Sequence, residues 1–391
     1  VVFEGTSDVV LGKSVFANCP VLATVTLPSG LTSISEKAFY LTVLSEITIP
    51  ETVTSIGAYA FAKTNIATLT IPASVATIAE GAFSGCTKLT KVTFAEGGAA
   101  NLQLGTLDNA VGVFEGSTAI TTVVLPKRIQ VVGSRAFYNI QKITTMTIPA
   151  DASLTTIGDW AFYYNKFNTI TLPEGLTYIG ANAFDHCQGT SFKTLIIPTT
   201  VTEIGYQAFN YCNKLTTVTF TEGGNASLKL GKEAFRYCSA LTTVTLPSRL
   251  DQAYEVMTTD GGLQLTTFPT IFTSCAVLKY VYVNDGGEKY DDIDGIFCEL
   301  NDYGDIARVI FCPVKNPGKK LSSAAEDKAV VTIPYTVTQV DNGAFNGVST
   351  ITKIVFEDTP DWNGRPTLVI GNANYSGYVA ADDSYPVFKS T

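Results

Sequence analysis

Apolar and polar positions recur along this chain in a phrase rewritten every few dozen residues. AFRYCSALTTVTLP (234–247) has a near copy in AFNYCNKLTTVTF (208–220) and a paler one in VFEGSTAITTVVLP (113–126). A fixed phrase at a short period marks a stack of similar supersecondary units rather than one globular core. The phrase places its Phe at Phe16, Phe39, Phe61, Phe83, Phe114, Phe137, Phe162, Phe184, Phe209, Phe235, Phe272, Phe297 and Phe345, mostly in steps of 22 to 26 residues.

Aligned on that Phe, one repeat reads L-x-x-V-x-[LI]-P-x-x-[VL]-x-x-I-x-x-x-A-F-x-x-[CNST]. Its first part predicts a strand. In LTTVTLP, Val244 and Leu246 sit at period 2, with β-branched threonines between and around them. Proline closes it, as at Pro50, Pro72, Pro173, Pro198 and Pro247, because a missing N–H ends the pairing and turns the chain. A short apolar pair follows, such as Val53 with Ile56 or Val201 with Ile204, often with Gly after it. The A-F phrase then predicts a helical or 3₁₀ turn whose Phe fills the interior.

The L-x-x-V-x-L strand phrase is a variant of the leucine-rich repeat, and its P-x-x-[VL]-x-x-I-x-x-x-A-F-x-x-C continuation resembles the BspA-like leucine-rich repeats of bacterial surface proteins. The likeness covers almost the whole chain. It implies a β-rich, right-handed, curved solenoid with a parallel sheet on one face and short turns or 3₁₀ segments on the other. It also implies display at a cell surface and adhesion to host molecules or neighbouring cells.

One solenoid domain is expected over residues 1–391, because a repeat stack grows by adding rungs. The pattern becomes irregular near 94–114, 247–272, 284–334 and 356–388. FAEGGAANLQLG and FTEGGNASLKLG suggest a recurring long repeat with an extra L-x-L strand, and DGIFCELNDYGDIARVIFCPV suggests a hairpin expansion. KNPGKKLSSAAEDK, 315–328, reads as a surface loop. The first residues, VVFEGTSDVVLGKSVF, enter the pattern within a repeat. A fragment or processed form of a longer exported protein is therefore expected, anchored by a segment outside this chain.

Charge narrows the partners. With 26 Lys and Arg against 35 Asp and Glu, a net charge of −9 disfavours nucleic acid and anionic headgroups. No apolar run approaches the ~20 residues of a membrane span. A monomer is expected.

Catalytic chemistry finds little support. His186 is the single histidine, so a His cluster for metal is excluded and any Ser-His-Asp site depends on it alone. Its place in the repeat reads as solvent-exposed filler. Six of eight cysteines fall three residues after the repeat Phe, where other rungs carry Thr42, Thr64, Ser117 and Asn165. This reads as a buried column of small donors. Rungs ~4.8 Å apart with parallel side chains do not bring Cβ atoms to the ~3.8 Å of a disulfide. Cys298 and Cys312 are the pair worth checking. The acidic stretch 284–305 offers carboxylates for Ca²⁺ without matching a complete calcium-loop motif, so solvated charge is the simpler reading and no cofactor is expected.

Two surfaces remain. Six T-x-T pairs, from Thr24/Thr26 to Thr243/Thr245, lie outward on the strands, which raises an ice-binding alternative. Glu46, Lys91, Val124 and Ile196 interrupt the rows. A turn-side series, Tyr40, Tyr138, Tyr163, Tyr164, Tyr211 and Tyr237, reads as packed rings with wet hydroxyls. At LKYVYV, 278–283, the outward positions become Tyr280 and Tyr282, with Tyr254 and Asp285 in neighbouring irregular segments. These four are the candidate binding residues for a protein or glycan, in a non-enzymatic surface module. A structural spacer displaying another domain is the alternative. The irregular loops and aromatics of the C-terminal half favour binding.

Overall fold

The computed structural model describes residues 10–98, 100–108, 110–252, 256–259, 262–265, 270–313, 315–316, 329–341, 344–357 and 369–370. Most rungs contribute two short parallel strands and a turn. The strands after the Pro corner form a ten-stranded parallel sheet from Ser33–Ile34 to Leu250–Gln252. The LTTVTLP-type strands form two four-stranded parallel sheets. One comprises Thr68–Ile71, Lys91–Phe94, Thr122–Val124 and Thr145–Thr147; the other comprises Thr194–Ile197, Thr217–Phe220, Thr243–Leu246 and Tyr280–Val283.

Several expectations need correction. The apolar pair after the corner makes the longest sheet of the molecule. The L-x-L segments Leu102–Leu104 and Leu228–Leu230 are not extra strands, since Gln103 and Leu104 pair with Thr77 and Ile78 in the ordinary place of that pair. They are the usual strand displaced by a longer corner. The phrases before Pro50 and Pro173, SEITIP at 45–50 and NTITLP at 168–173, form no strand, so the Thr169/Thr171 pair leaves the threonine rows divided into two patches.

The A-F phrase is neither α-helix nor 3₁₀. In most rungs the residues two before and two after the Phe take left-handed backbone angles, as do Lys37 and Leu41 at φ 54° and 57° or Gln207 and Tyr211 at 53° and 54°. Two left-handed residues four apart prevent a helix from propagating. The backbone N–H groups alternate instead: Phe209 donates to Ala234 O of the next rung, while Asn210 donates to Gln207 O within its own turn. The turn thereby stitches rungs together while keeping its own polar groups bonded. Gly205 precedes this turn because a Cβ there would lie 2.6 Å from Ala181 N of the preceding rung.

The core follows. Phe rings stack from Phe16 to Phe272 with centroids 5.1 to 5.9 Å apart, and from Phe39 to Phe235 the rings of the stack are fully buried. Phe311 continues the stack from Phe272 at 6.2 Å. Phe297 does not occupy that place in the repeat; it lies on Ile296–Leu300, in an antiparallel sheet with Tyr290–Ile293 and Ile306–Phe311, and packs on Tyr290 at 5.0 Å. The column three residues after the Phe supplies donors to the preceding rung. Cys212 Sγ reaches Phe184 O at 3.2 Å, Cys238 Sγ reaches Phe209 O at 3.2 Å, and Ser117 Oγ reaches Phe83 O at 2.7 Å. All eight cysteines are free, Cys298 and Cys312 included.

The two long corners share a latch. Arg128 Nη1 donates to Val75 O at 2.6 Å and Nη2 to Pro72 O at 3.1 Å; Arg249 repeats this on Val201 O and Pro198 O. Each arginine ties a long repeat to backbone two corners earlier.

Candidate functional site

Sheet register aligns the outward positions of the second four-stranded sheet. Thr194, Thr217, Thr243 and Tyr280 form one row, and Ile196, Thr219, Thr245 and Tyr282 the other. The alternation is fixed from inside, because Leu195, Val218, Val244 and Val281 are buried. The face therefore carries eight uncharged side chains, four rungs long. Its most exposed large apolar groups are Ile196 at one end, 59% exposed, and Tyr282 at the other, 37% exposed.

The tyrosines meet as expected for residues two apart on one strand face. Their ring centroids lie 5.2 Å apart at an interplanar angle of 13°. The adjoining hairpin closes the strand edge behind them. Val281 N–H donates to Gly295 O at 3.0 Å, and Asp292 accepts from Val283 N–H through Oδ1 and from Gly295 N–H through Oδ2. A Cβ at Gly295, which sits at φ 81°, would come within 2.9 Å of the Tyr280 ring. With both edge N–H groups capped, strand addition at this edge is blocked. What remains available is the face.

Burial pushes the Asp292 carboxyl up, against the pull of its two N–H donors. The Tyr282 phenol is also raised, first by burial and then by Tyr280 and Asp292. Asp285 is exposed in the turn after the strand, where Asn284 Nδ2 donates to Glu222 Oε2 at 2.8 Å. Glu222 also binds the Ser248 hydroxyl, so this corner of the face has an acidic rim. Tyr254 lies outside the described residues. Among the described residues, no three His, Cys, Asp or Glu side chains gather as metal ligands, and no helix is long and apolar enough to cross a membrane.

The turn edge holds an arrangement that sequence reading missed. His186 is not solvent-exposed filler: its side chain is 21% exposed and lies between Tyr164 and Tyr211, with ring centroids at 4.5 and 4.4 Å. Nδ1 stands 2.7 Å from Oδ1 of the buried Asp185, which also accepts from Asn182 and Asn210. Burial raises the Asp185 carboxyl, with His186 and the two amides opposing. Adjacent side chains converge here because His186 is left-handed, at φ 58°. The next residue, Cys187, does not pair with the imidazole: its Sγ donates to Phe162 O at 3.2 Å, and burial drives its thiol well above the usual range. The dyad thus orients an imidazole in an aromatic stack without activating a nucleophile at Cys187.

The signature of the BspA type leucine rich repeat region matches residues 9–104, 110–242 and 187–277, in six copies. A leucine-rich repeat protein of Bacteroides ovatus is similar at 19% identity and a TM-score of 0.48, covering 92% of this chain and 71% of that one. A leucine rich cell surface protein of Faecalibacterium prausnitzii gives 21% and 0.37, covering 84% of each chain. The pneumococcal vaccine antigen PcpA gives 18% and 0.40, covering 86% of this chain and 79% of that one. No protein with a curated description matches the chain.

Proposed function

Because the chain belongs to the BspA-type leucine-rich repeat family, we propose that it is a surface-displayed binding module that docks a protein or glycan partner at the Tyr280–Tyr282 end of its sheet. The observation that carries this reading is the stacked tyrosine pair on an uncharged face whose strand edge is closed. Rigid aromatic rings offer contact area at small entropic cost, and such residues dominate binding energies. Thr217, Thr219, Thr243 and Thr245 extend the same plane with hydroxyls and methyls. The rim at Glu222 and Asp285 selects against acidic partners at that corner. Display at a cell surface is part of the proposal and is what the family implies.

The test is a binding screen of the purified chain against immobilised matrix proteins, glycan arrays and whole cells. With a ligand in hand, the Tyr280→Ala, Tyr282→Ala double variant is expected to lose about 2 kcal/mol or more of binding, roughly 30-fold, while melting normally. Unchanged affinity in that variant, with loss from Thr217→Ala and Thr219→Ala, moves the site to mid-sheet. No binding to any of these surfaces favours the spacer alternative.

A further inference from the structure

Charge is not spread evenly over this acidic molecule. The segments between each turn and its following strand carry a series of lysines, while Glu46 is their one acidic residue between Asn18 and Lys279, counted from two residues past each repeat Phe. Four of these lysines occupy one repeat position, immediately before the first inward apolar residue: Lys88 before Leu89, Lys142 before Ile143, Lys166 before Phe167 and Lys214 before Leu215. Lys193 and Lys279 stand just after the corresponding inward residues, Phe192 and Leu278. Those inward residues are all buried and all six lysines are exposed. Alternation therefore fixes both lysine positions outward on one rim.

None of the six forms an ion pair among the described residues, whereas Lys13, Lys127 and Lys289 elsewhere do. The opposite rim, past the strand ends, is mainly acidic, with exposed Glu51, Glu96, Glu174 and Glu222, while Asp151 there is paired with Lys127. The strands thus run from a cationic rim to an anionic rim. From Lys88 to Lys279 the cationic rim spans seven rung steps, about 34 Å at ~4.8 Å each.

We infer that this rim is a binding track for a carboxylated or sulfated polysaccharide chain lying along the solenoid axis. Unpaired cations in a single row attract a linear polyanion, and the acidic rim repels it from the other side of the sheet, which fixes its direction. The row is bordered by hydroxyls that suit sugars: tyrosines two to four residues earlier, at Tyr138, Tyr164 and Tyr211, and threonines on the strands that follow, such as Thr145 and Thr217. Nucleic acid and anionic membranes fit less well. The net charge of −9 opposes a densely charged duplex or bilayer, whereas a sparser polyanion engages the row with fewer acidic residues nearby. This track is separate from the tyrosine pair and does not depend on it.

The experiment measures binding of a fluorescent alginate oligosaccharide by polarisation at low ionic strength. Single-stranded DNA of equal charge and vesicles of phosphatidylcholine with phosphatidylserine serve as rival probes. The variant Lys88→Gln, Lys142→Gln, Lys166→Gln, Lys214→Gln is expected to bind roughly tenfold more weakly while melting as wild type. Binding should also weaken as salt is raised towards ~0.15 M. A control variant, Lys13→Gln, Lys127→Gln, Lys229→Gln, Lys232→Gln, removes the same charge elsewhere and is expected to retain most of the affinity. Absence of oligosaccharide binding by wild type overturns the inference. So does equal loss in the control variant, and so does tighter binding of DNA or vesicles than of the oligosaccharide.

Discussion

Replacing Phe209 by Ala tests whether the ring stack holds the rungs together. The ring is fully buried, with Phe184 at 5.1 Å on one side and Phe235 at 5.2 Å on the other. Truncation of such a ring costs about 3 to 5 kcal/mol through lost transfer energy and the cavity left behind. Collapse is resisted here because the surrounding backbone is fixed by bonds to both neighbours, Phe209 N–H to Ala234 O and Phe184 N–H to Ala208 O. The upper half of that range is therefore expected. Urea unfolding followed by circular dichroism supplies the number, with Phe345→Ala as the internal comparison, since Phe345 is only partly buried at the margin of the smaller cluster. In a stack coupled through nearest neighbours, loss at a central rung also lowers cooperativity. A change below about 1 kcal/mol at Phe209, or an equal change at Phe345, would refute the reasoning.

Three further outcomes follow from the geometry. Burial leaves Cys19 as the only cysteine that is not fully buried and pushes Cys275 up to about 12, so a thiol reagent at pH 8 should titrate about one group in the native protein and all eight after denaturation without reductant. Arg128→Ala removes charged hydrogen bonds to Val75 O and Pro72 O and should cost about 2 kcal/mol by urea melt, with Arg249→Ala matching it. For Glu115, burial pushes the carboxyl up, but hydrogen bonds from Arg135 and the Gly112 N–H outweigh it and hold it below the ordinary value. Its folded value being depressed, the stabilisation is present above the unfolded pKa and lost as pH falls through the folded one. The advantage of wild type over Glu115→Gln should accordingly be full at pH 6 and shrink below about pH 4.

The repeat Phe, the donor column after it and the strand before most of the corner prolines were legible because each occupies a fixed place and each is required by burial. Other features carry no such mark. A two-residue strand such as Glu203–Ile204 is too short to show a period, so the longest sheet was not recognised in advance. The left-handed slots accept Lys37, Tyr59, Asn182, His186 and Gly85 alike, which hides the turn geometry. NTITLP reads like LTTVTLP, and only the structure separates them. At the site, period 2 correctly set Tyr280 beside Tyr282, but the hairpin that closes their edge depends on Asp292 and Gly295, which come together through a tertiary fold. His186 was misjudged, and its contact with Asp185 missed, for the opposite reason. Neighbouring residues normally diverge, and a left-handed angle brought this pair together.

Position-specific photo-crosslinking tests the binding face most directly. A benzophenone amino acid is placed at Thr245, outward between Thr219 and Tyr282, and in a separate variant at Glu203, exposed on the ten-stranded sheet. After capture of the ligand found in the screen and irradiation, a crosslinked adduct is expected from position 245 and none from position 203. An adduct from 203 with none from 245 would contradict this placement of the binding face.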